Sequence, residues 1–244
     1  MTYRAFVPMV YAPRQKRGAS LVDAGANTDD VARLGASWWY NWHHNGPIDG
    51  RYVPMSFRGS ATDIPVEYSG YVLVLNEPEN AGQANLTPAQ AAARVLAVAQ
   101  ARPDARLIVG GYGYFGREQW PQFVSALGDY RPAGWHVHGY VEASQYWTVT
   151  LADVTAWWTT ARAQAPGGEF WITEFADTVD GQHAQGLLGF VRGAAWVDRH
   201  SWFANRMTGV ETWYPPWWTH NPALIDNYGA LTHDGARYVQ GGAA

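Results

Sequence analysis

Two glutamates close apolar runs in this chain. Glu77 follows YVLVLN (71–76), and Glu174 follows EFWIT (169–173). A single glutamate in such a place is usually a solvated loop residue or half of an ion pair. Two of them, bounded by Leu75 and Pro78 and by Phe175, fit a reaction that consumes a pair of carboxyls. Cleavage of a glycosidic bond is that reaction. One carboxylic acid protonates the leaving oxygen, and the other carboxylate attacks the anomeric carbon or activates water. The two must hold their protons unequally, which burial and hydrogen-bond donors arrange. Nearby in the same pattern stand groups suited to a sugar: Asn76, Trp39, Asn41, Trp42, His138, Tyr140, Trp213 and Tyr214. Flat indole faces offer apolar platforms for the C–H faces of a pyranose, while amides, imidazole and phenols pair with its hydroxyls.

Something must bring positions 77 and 174 together, and the periodicity supplies it. Short apolar runs rich in β-branched and aromatic residues recur at 18–22, 36–42, 52–57, 71–76, 106–111, 135–140, 169–175 and 210–214. Helical segments fall between many of them. Residues 28–34 form a short one. Thr87 caps a longer one, with Pro88 at its first position and Gln90 completing a capping box. Residues 117–127 form another, ended by Gly128. Thr150 caps LADVTAWWTTARAQA with Asp153 at the third position, and 181–200 reads as helix.

Strands alternating with helices mean a parallel sheet with helical cover. The strands are apolar on both parities, as strands buried on both faces are. Eight of them predict closure into a (β/α)8 barrel, one catalytic domain over residues 1–244. Chemistry in such barrels sits at the C-terminal strand ends. That places Glu77 at the fourth tip, His136, His138 and Tyr140 at the sixth, Glu174 at the seventh, and Glu211, Trp213 and Tyr214 at the eighth. FVPMVY (6–11) reads as an extra strand or as the first strand itself. An open doubly wound sheet is the alternative. Against it, GGYGYFG (110–116) opens no helix directly after its glycines, so it makes no phosphate turn.

Composition narrows the function further. A net charge of -4 gives no electrostatic case for nucleic acid. With no cysteine there is no disulfide frame, thiolate zinc site or cysteine nucleophile. No apolar stretch approaches the roughly 20 residues that span a bilayer. MTYRAFVPMV lacks the basic start and apolar core of a signal peptide. Fourteen Trp and fourteen Tyr far exceed ordinary use, and they fit a groove lined with flat platforms as well as a packed core. The expectation is a cofactor-free, metal-free monomer acting on an oligo- or polysaccharide, with an extracellular location favoured by that substrate class.

The segments ASWWYNW (36–42), YVPMSF (52–57), LVLNEPEN (73–80), HVHGY (136–140) and EFWITEFA (169–176) resemble glycoside hydrolase family 128. The resemblance runs from KRGAS (16–20) through the seventh strand. It implies a clan A retaining barrel acting on β-1,3-glucan, with Glu77 as acid/base and Glu174 as nucleophile. It also implies Asn76 as partner of the sugar 2-hydroxyl and Tyr140 or His138 as the group steadying the nucleophile. Trp213 would be the platform beneath the sugar being cleaved. The chain departs from the family pattern at Leu75, where Phe is expected, and at Glu79, where Asp is expected.

Two other readings stay open from the residues. His136 and His138, at i and i+2 with His43 and His44 elsewhere, could begin a metal site, and chelation would test this. A barrel could also hold glycan without cutting it, although that would not need paired acids.

Overall fold

The computed structural model describes residues 16–22, 29–46, 50–66, 68–207 and 215–240. The run FVPMVY, the proposed strand 210–214, and Trp213 and Tyr214 lie outside the described residues. Nine strands and six helices follow one another along the described chain. The first half holds β1 (Gly18–Ser20), α1 (Asp29–Arg33), β2 (Trp38–Tyr40), β3 (Met55–Ser56), β4 (Tyr71–Val74), α2 (Pro88–Ala101) and β5 (Arg106–Tyr112). The second holds α3 (Trp120–Ala126), β6 (Gly134–Ala143), β7 (Thr148–Val149), α4 (Leu151–Gln164), β8 (Glu169–Asp177), α5 (Ala184–Gly193), β9 (Arg199–His200) and α6 (His233–Gln240).

Parallel ladders join β3-β4-β5-β6-β8-β9, and a separate parallel pair joins β1 to β2. Single parallel bridges, Trp39 to Tyr52 and Arg17 to His200, span the two seams between them. The order is that of a (β/α)8 barrel whose ladders are interrupted at those seams. The short antiparallel β7 extends the tip of β6 as a hairpin.

The eighth position in this ring belongs to β9. It lies inside the stretch 181–200 that sequence periodicity assigned to helix. The reason is visible in α5. Ala184, Leu187, Leu188 and Val191 form its buried stripe, and Ala194 has already left the helical conformation. The chain then turns and enters the sheet at Arg199, beside Trp171.

The two expected N-caps are present, and both form capping boxes. Thr87 accepts from Gln90 and Thr150 from Asp153, with both acceptor side chains reaching back to the cap N–H. Each such cap contributes about 1 kcal/mol.

Alternation along the strands divides the core in two. Trp38, Val53, Met55, Leu73, Ile108 and Trp171 point inward and fill the barrel. Trp39, Val72, Val74, Trp135 and Ile172 point outward and meet the helices. This parity corrects one expectation. Trp39, read as a sugar platform, is fully buried against Tyr52 with ring centroids 4.5 Å apart. It belongs to the outer core and cannot reach a substrate.

Candidate active site

Strand β4 delivers the first carboxylate through an unusual backbone. Leu75 and Glu77 have φ of +76° and +39°, and a bulky side chain at positive φ is rare outside constrained sites. Neighbouring strands hold this shape. Leu75 N–H donates to Ser56 O, Asn76 N–H to Phe57 O, and Glu77 N–H to Gly111 O at 3.0 Å. Gly111 is fixed by the same approach. It has φ of +69°, and a Cβ there would stand 2.8 Å from Leu75 O.

Strand β8 aims the second carboxylate by a bulge. Ile172 pairs with Val137 and Glu174 with His138, so the register skips Thr173. The extra residue lets Thr173 and Glu174 both face the barrel axis, a known use of bulges near sites. Thr173 carries the floor of the site: its Oγ1 lies 3.0 Å from His136 Nδ1, and its carbonyl accepts from Tyr40 OH at 2.8 Å.

Glu174 is buried, with donors on both oxygens. Oε1 accepts from Trp42 Nε1 at 2.7 Å, with Tyr40 OH at 3.5 Å. Oε2 accepts from Tyr140 OH at 2.5 Å, with His138 Nδ1 at 3.4 Å. Burial pushes the Glu174 carboxyl above its ordinary value. The His138 charge pulls it back, the Glu77 charge adds to the rise, and the Tyr140 and Trp42 hydrogen bonds again oppose it. Burial and the nearby carboxylates hold the Tyr140 and Tyr40 phenols far above their usual range, so both remain donors. Trp42 reaches Glu174 because its own φ is +60°. Asn41 does not reach the carboxylates. Its Oδ1 accepts from Tyr52 OH at 2.9 Å and His43 N–H at 3.3 Å, pinning the loop that carries Trp42.

Glu77 is the more open of the two, with its side chain 18% exposed against 5% for Glu174. Its Oε2 accepts from Asn80 Nδ2 at 3.0 Å, and its Oε1 lies 3.3 Å from His138 Nδ1. His138 therefore shares one nitrogen between both carboxylates. Burial opposes charging this imidazole, but Glu174, Glu77 and Glu79 together raise its affinity for a proton. Its backbone is clamped from behind. Trp157 and Trp158 of α4 both donate indole N–H groups to His138 O, at 3.0 and 3.3 Å. Gly139 admits this approach, since a Cβ there would sit 2.7 Å from Trp158 Nε1.

Donor atoms of Glu77, His138 and Glu174 all lie within 4.8 Å of one another. That spacing would suit a cation as well as two-carboxylate chemistry. The histidine pair singled out in the sequence is not the centre of it. His136 faces Thr173 Oγ1 with one ring nitrogen and Val74 O, at 3.3 Å, with the other. Burial drives its pKa down to about 3, so it stays neutral.

Asn76 is buried beside Glu77: its Nδ2 donates to Gln83 Oε1 at 3.4 Å, and its Oδ1, itself enclosed, has no hydrogen-bond partner among the described residues. Of the two residues expected beside Glu174, Tyr140 OH and His138 Nδ1 both lie against its Oε2. Sequence reading gave no site role to five neighbours: Phe203, Glu79, Glu142, Trp217 and Trp218. Phe203 packs on Trp42, Tyr140 and Trp218 at 5.4, 5.8 and 5.9 Å, completing a collar around Glu174. Glu79 accepts from Gly113 N–H at 2.7 Å and ties the acid-bearing loop to the tip of β5. Burial and the Glu77 charge push its carboxyl up to about 8. Glu142 accepts from the Trp217 and Trp218 indoles, each at 3.3 Å. The repeated tryptophans at 217–218 were the available signal, lost because that segment showed no strand or helix period.

The sequence matches the family model "glycosyl hydrolase catalytic core" over residues 18–238. A search of curated proteins returned no match. Among solved structures, an endo-β-1,3-glucanase of family GH128, subgroup II, from Sorangium cellulosum is 25% identical, with a TM-score of 0.66 over 92% of this chain and 97% of that one. A subgroup I endo-β-1,3-glucanase from Amycolatopsis mediterranei is 19% identical (TM-score 0.69, 92% and 99% covered). A subgroup VI exo-β-1,3-glucanase from Aureobasidium namibiae is 16% identical (TM-score 0.70, 93% and 96% covered). The last two speak for the fold. The chain belongs to the glycosyl hydrolase catalytic core family, as a relative of the glycoside hydrolase family 128 enzymes.

Proposed function

We propose that the protein is a retaining glycoside hydrolase that cleaves β-1,3-glucan, endo-acting, with Glu174 as nucleophile and Glu77 as acid/base. The observation that carries the mechanism is that the two carboxylates face each other closely, one oxygen of Glu77 lying within 4.8 Å of one oxygen of Glu174, an approach that favours the shorter of the two separations used by glycosidases. Retaining enzymes hold their carboxyls about 5–5.5 Å apart, whereas inverting ones need about 6.5–9.5 Å to admit a water.

The roles divide by environment. Glu174 receives its hydrogen bonds as an anion, so the donors that surround it favour the charged form that attacks the anomeric carbon. Glu77 opens on the cleft, where a leaving oxygen can meet it. In the first step C1 bonds to Glu174, the glycosidic C–O bond breaks, and the Glu77 proton moves to the departing oxygen. In the second, Glu77 takes a proton from water, whose oxygen displaces Glu174 from C1. His138 reaches both carboxylates, so it can follow the negative charge from one to the other. Asn76, next to Glu77 in the chain, is the residue that the family resemblance assigns to the sugar 2-hydroxyl.

The choice of β-1,3-glucan rests on the family relationship and on the solved relatives, one of which was crystallised with laminaritriose. The relatives include both endo and exo enzymes. A glycan panel of β-1,3-, β-1,4- and mixed-linkage glucans, mannan and xylan, treated with EDTA throughout, tests the reading. The expected result is release of a ladder of short oligosaccharides from β-1,3-glucan alone. Monosaccharide as the first product would replace endo with exo action. Activity confined to another glycan, or abolished by EDTA and restored by a divalent cation, would contradict the assignment.

A further inference from the structure

The glycine-rich run GGYGYFG (110–116) makes no phosphate turn, yet its glycines are placed with purpose. Gly111 admits the tip of β4. Gly113 and Gly116 cut a slot for the side chain of Glu79. A Cβ on Gly113 would stand 3.0 Å from Glu79 Oε1, and one on Gly116 would stand 2.7 Å from Glu79 Cδ and 2.9 Å from its Cγ. Only glycine permits so close an approach. Tyr112 bounds the slot, since the same Cβ on Gly116 would stand 2.7 Å from its Cδ1. Inside, Glu79 Oε1 accepts from Gly113 N–H at 2.7 Å, while Oε2 is enclosed and has no partner among the described residues. Burial and the Glu77 charge push this carboxyl up to about 8, so at neutral pH it keeps its proton. This is also a position where the chain departs from the family pattern, with one methylene more than the aspartate expected there.

The slot lies within one turn of the acid. Glu77 O accepts from Asn80 N–H and Glu77 Oε2 from Asn80 Nδ2, both at 3.0 Å. Glu79 stands inside that turn, so its anchor on the chain after β5 is the anchor of the turn. Glu77 itself has φ of +39°, a backbone shape that persists only where the surroundings hold it.

We propose that Glu79 is a positioning residue for the general acid: locked between Gly113 and Gly116, it holds the turn 77–80 so that the Glu77 carboxyl meets the leaving oxygen. The inference rests on the hydrolase reading above. Glu79 reaches the reaction only through Glu77, so its effect scales with the leaving group's need for a proton. General acid assistance supplies roughly 10²–10⁴-fold, and a displacement of about 1 Å is enough to forfeit much of it.

The test compares two substrates by kcat/KM, which reports the first chemical step. One is a β-1,3-linked glucohexaose. The other is the dinitrophenyl β-glycoside of the β-1,3-linked trisaccharide, whose leaving group needs little protonation. Glu79→Ala should lower the ratio of kcat/KM on hexaose to kcat/KM on the dinitrophenyl glycoside about tenfold. Glu79→Gln keeps the length and an acceptor for Gly113 N–H without a charge, and it should restore the ratio. Glu79→Asp withdraws the carboxyl from Gly113 and should lower the ratio as Glu79→Ala does, so it carries the test if the alanine variant does not fold. Equal losses on both substrates would make Glu79 a packing residue and overturn the role. So would an unchanged ratio, or a glutamine variant as impaired as the alanine one. A wild-type protein inert on both substrates would overturn the proposed function, and this role with it.

Discussion

Glu174→Gln should lose at least about 10⁴-fold in kcat on β-1,3-glucan while remaining folded. The amide is close in shape, so Trp42 and Tyr140 keep a hydrogen-bonding partner, but it cannot form the covalent ester. Glu77→Gln should lose roughly 10²–10⁴-fold on the same substrate, the range typical of general acid assistance. The two variants separate on an activated substrate. A fluoride or dinitrophenyl leaving group needs little protonation, so Glu77→Gln should regain its first step there and Glu174→Gln should not. Equal recovery of both, or near-wild-type turnover by either on glucan, would remove that residue from the mechanism. Circular dichroism and thermal melts of both proteins establish that folding is not the cause.

His138→Gln should lower kcat by about 10²-fold and move the acidic limb of the rate profile to higher pH. The imidazole sits 3.3 Å from one carboxylate and 3.4 Å from the other. Its positive charge lowers the proton affinity of Glu174 against burial and Glu77, which raise it. The sign follows. Glu174 must be an anion to attack, so activity falls as pH drops through its value. Taking away the charge that depresses that value moves the fall upward. On the alkaline side the neighbouring Glu79 loses its proton near pH 8, so the limb there belongs to a coupled group and not to one residue. A His138→Gln enzyme with reduced kcat but an unmoved acidic limb would make His138 a packing residue only.

The sequence carried the carboxylates because they lie at the ends of regular strands. Position 77 follows a run apolar on both parities, and position 174 another, so barrel order alone set them facing each other. Tyr140 and His138 were legible for the same reason, lying at i and i+2 on one long strand. Trp39 was not, because alternation alone decides which of three adjacent aromatics faces inward. In WWY (38–40) the middle residue went outward, while Trp42 turned in through a positive φ that no periodicity announces. Strand β9 was hidden by its brevity, two residues shortly after a helix whose apolar stripe packs beside β8. Phe203 and the Trp217–Trp218 pair stand in irregular segments, where spacing gives no face, whereas Glu142 lies on β6 two residues beyond Tyr140 and was passed over although its parity was readable. Their proximity to the site comes from tertiary packing over β6 and β9.

The most direct test of the account is to trap the intermediate. The enzyme is incubated with a 2-deoxy-2-fluoro-β-1,3-glucosyl donor bearing a dinitrophenyl leaving group, digested, and mapped by mass spectrometry. Proton NMR of fresh product from unmodified β-1,3-glucan is followed in parallel. The account predicts a fluoroglycosyl ester on Glu174, within EFWITEFAD, and β-anomer formed first with α appearing only by mutarotation. A label on Glu77, or α-anomer as the first product, would contradict it.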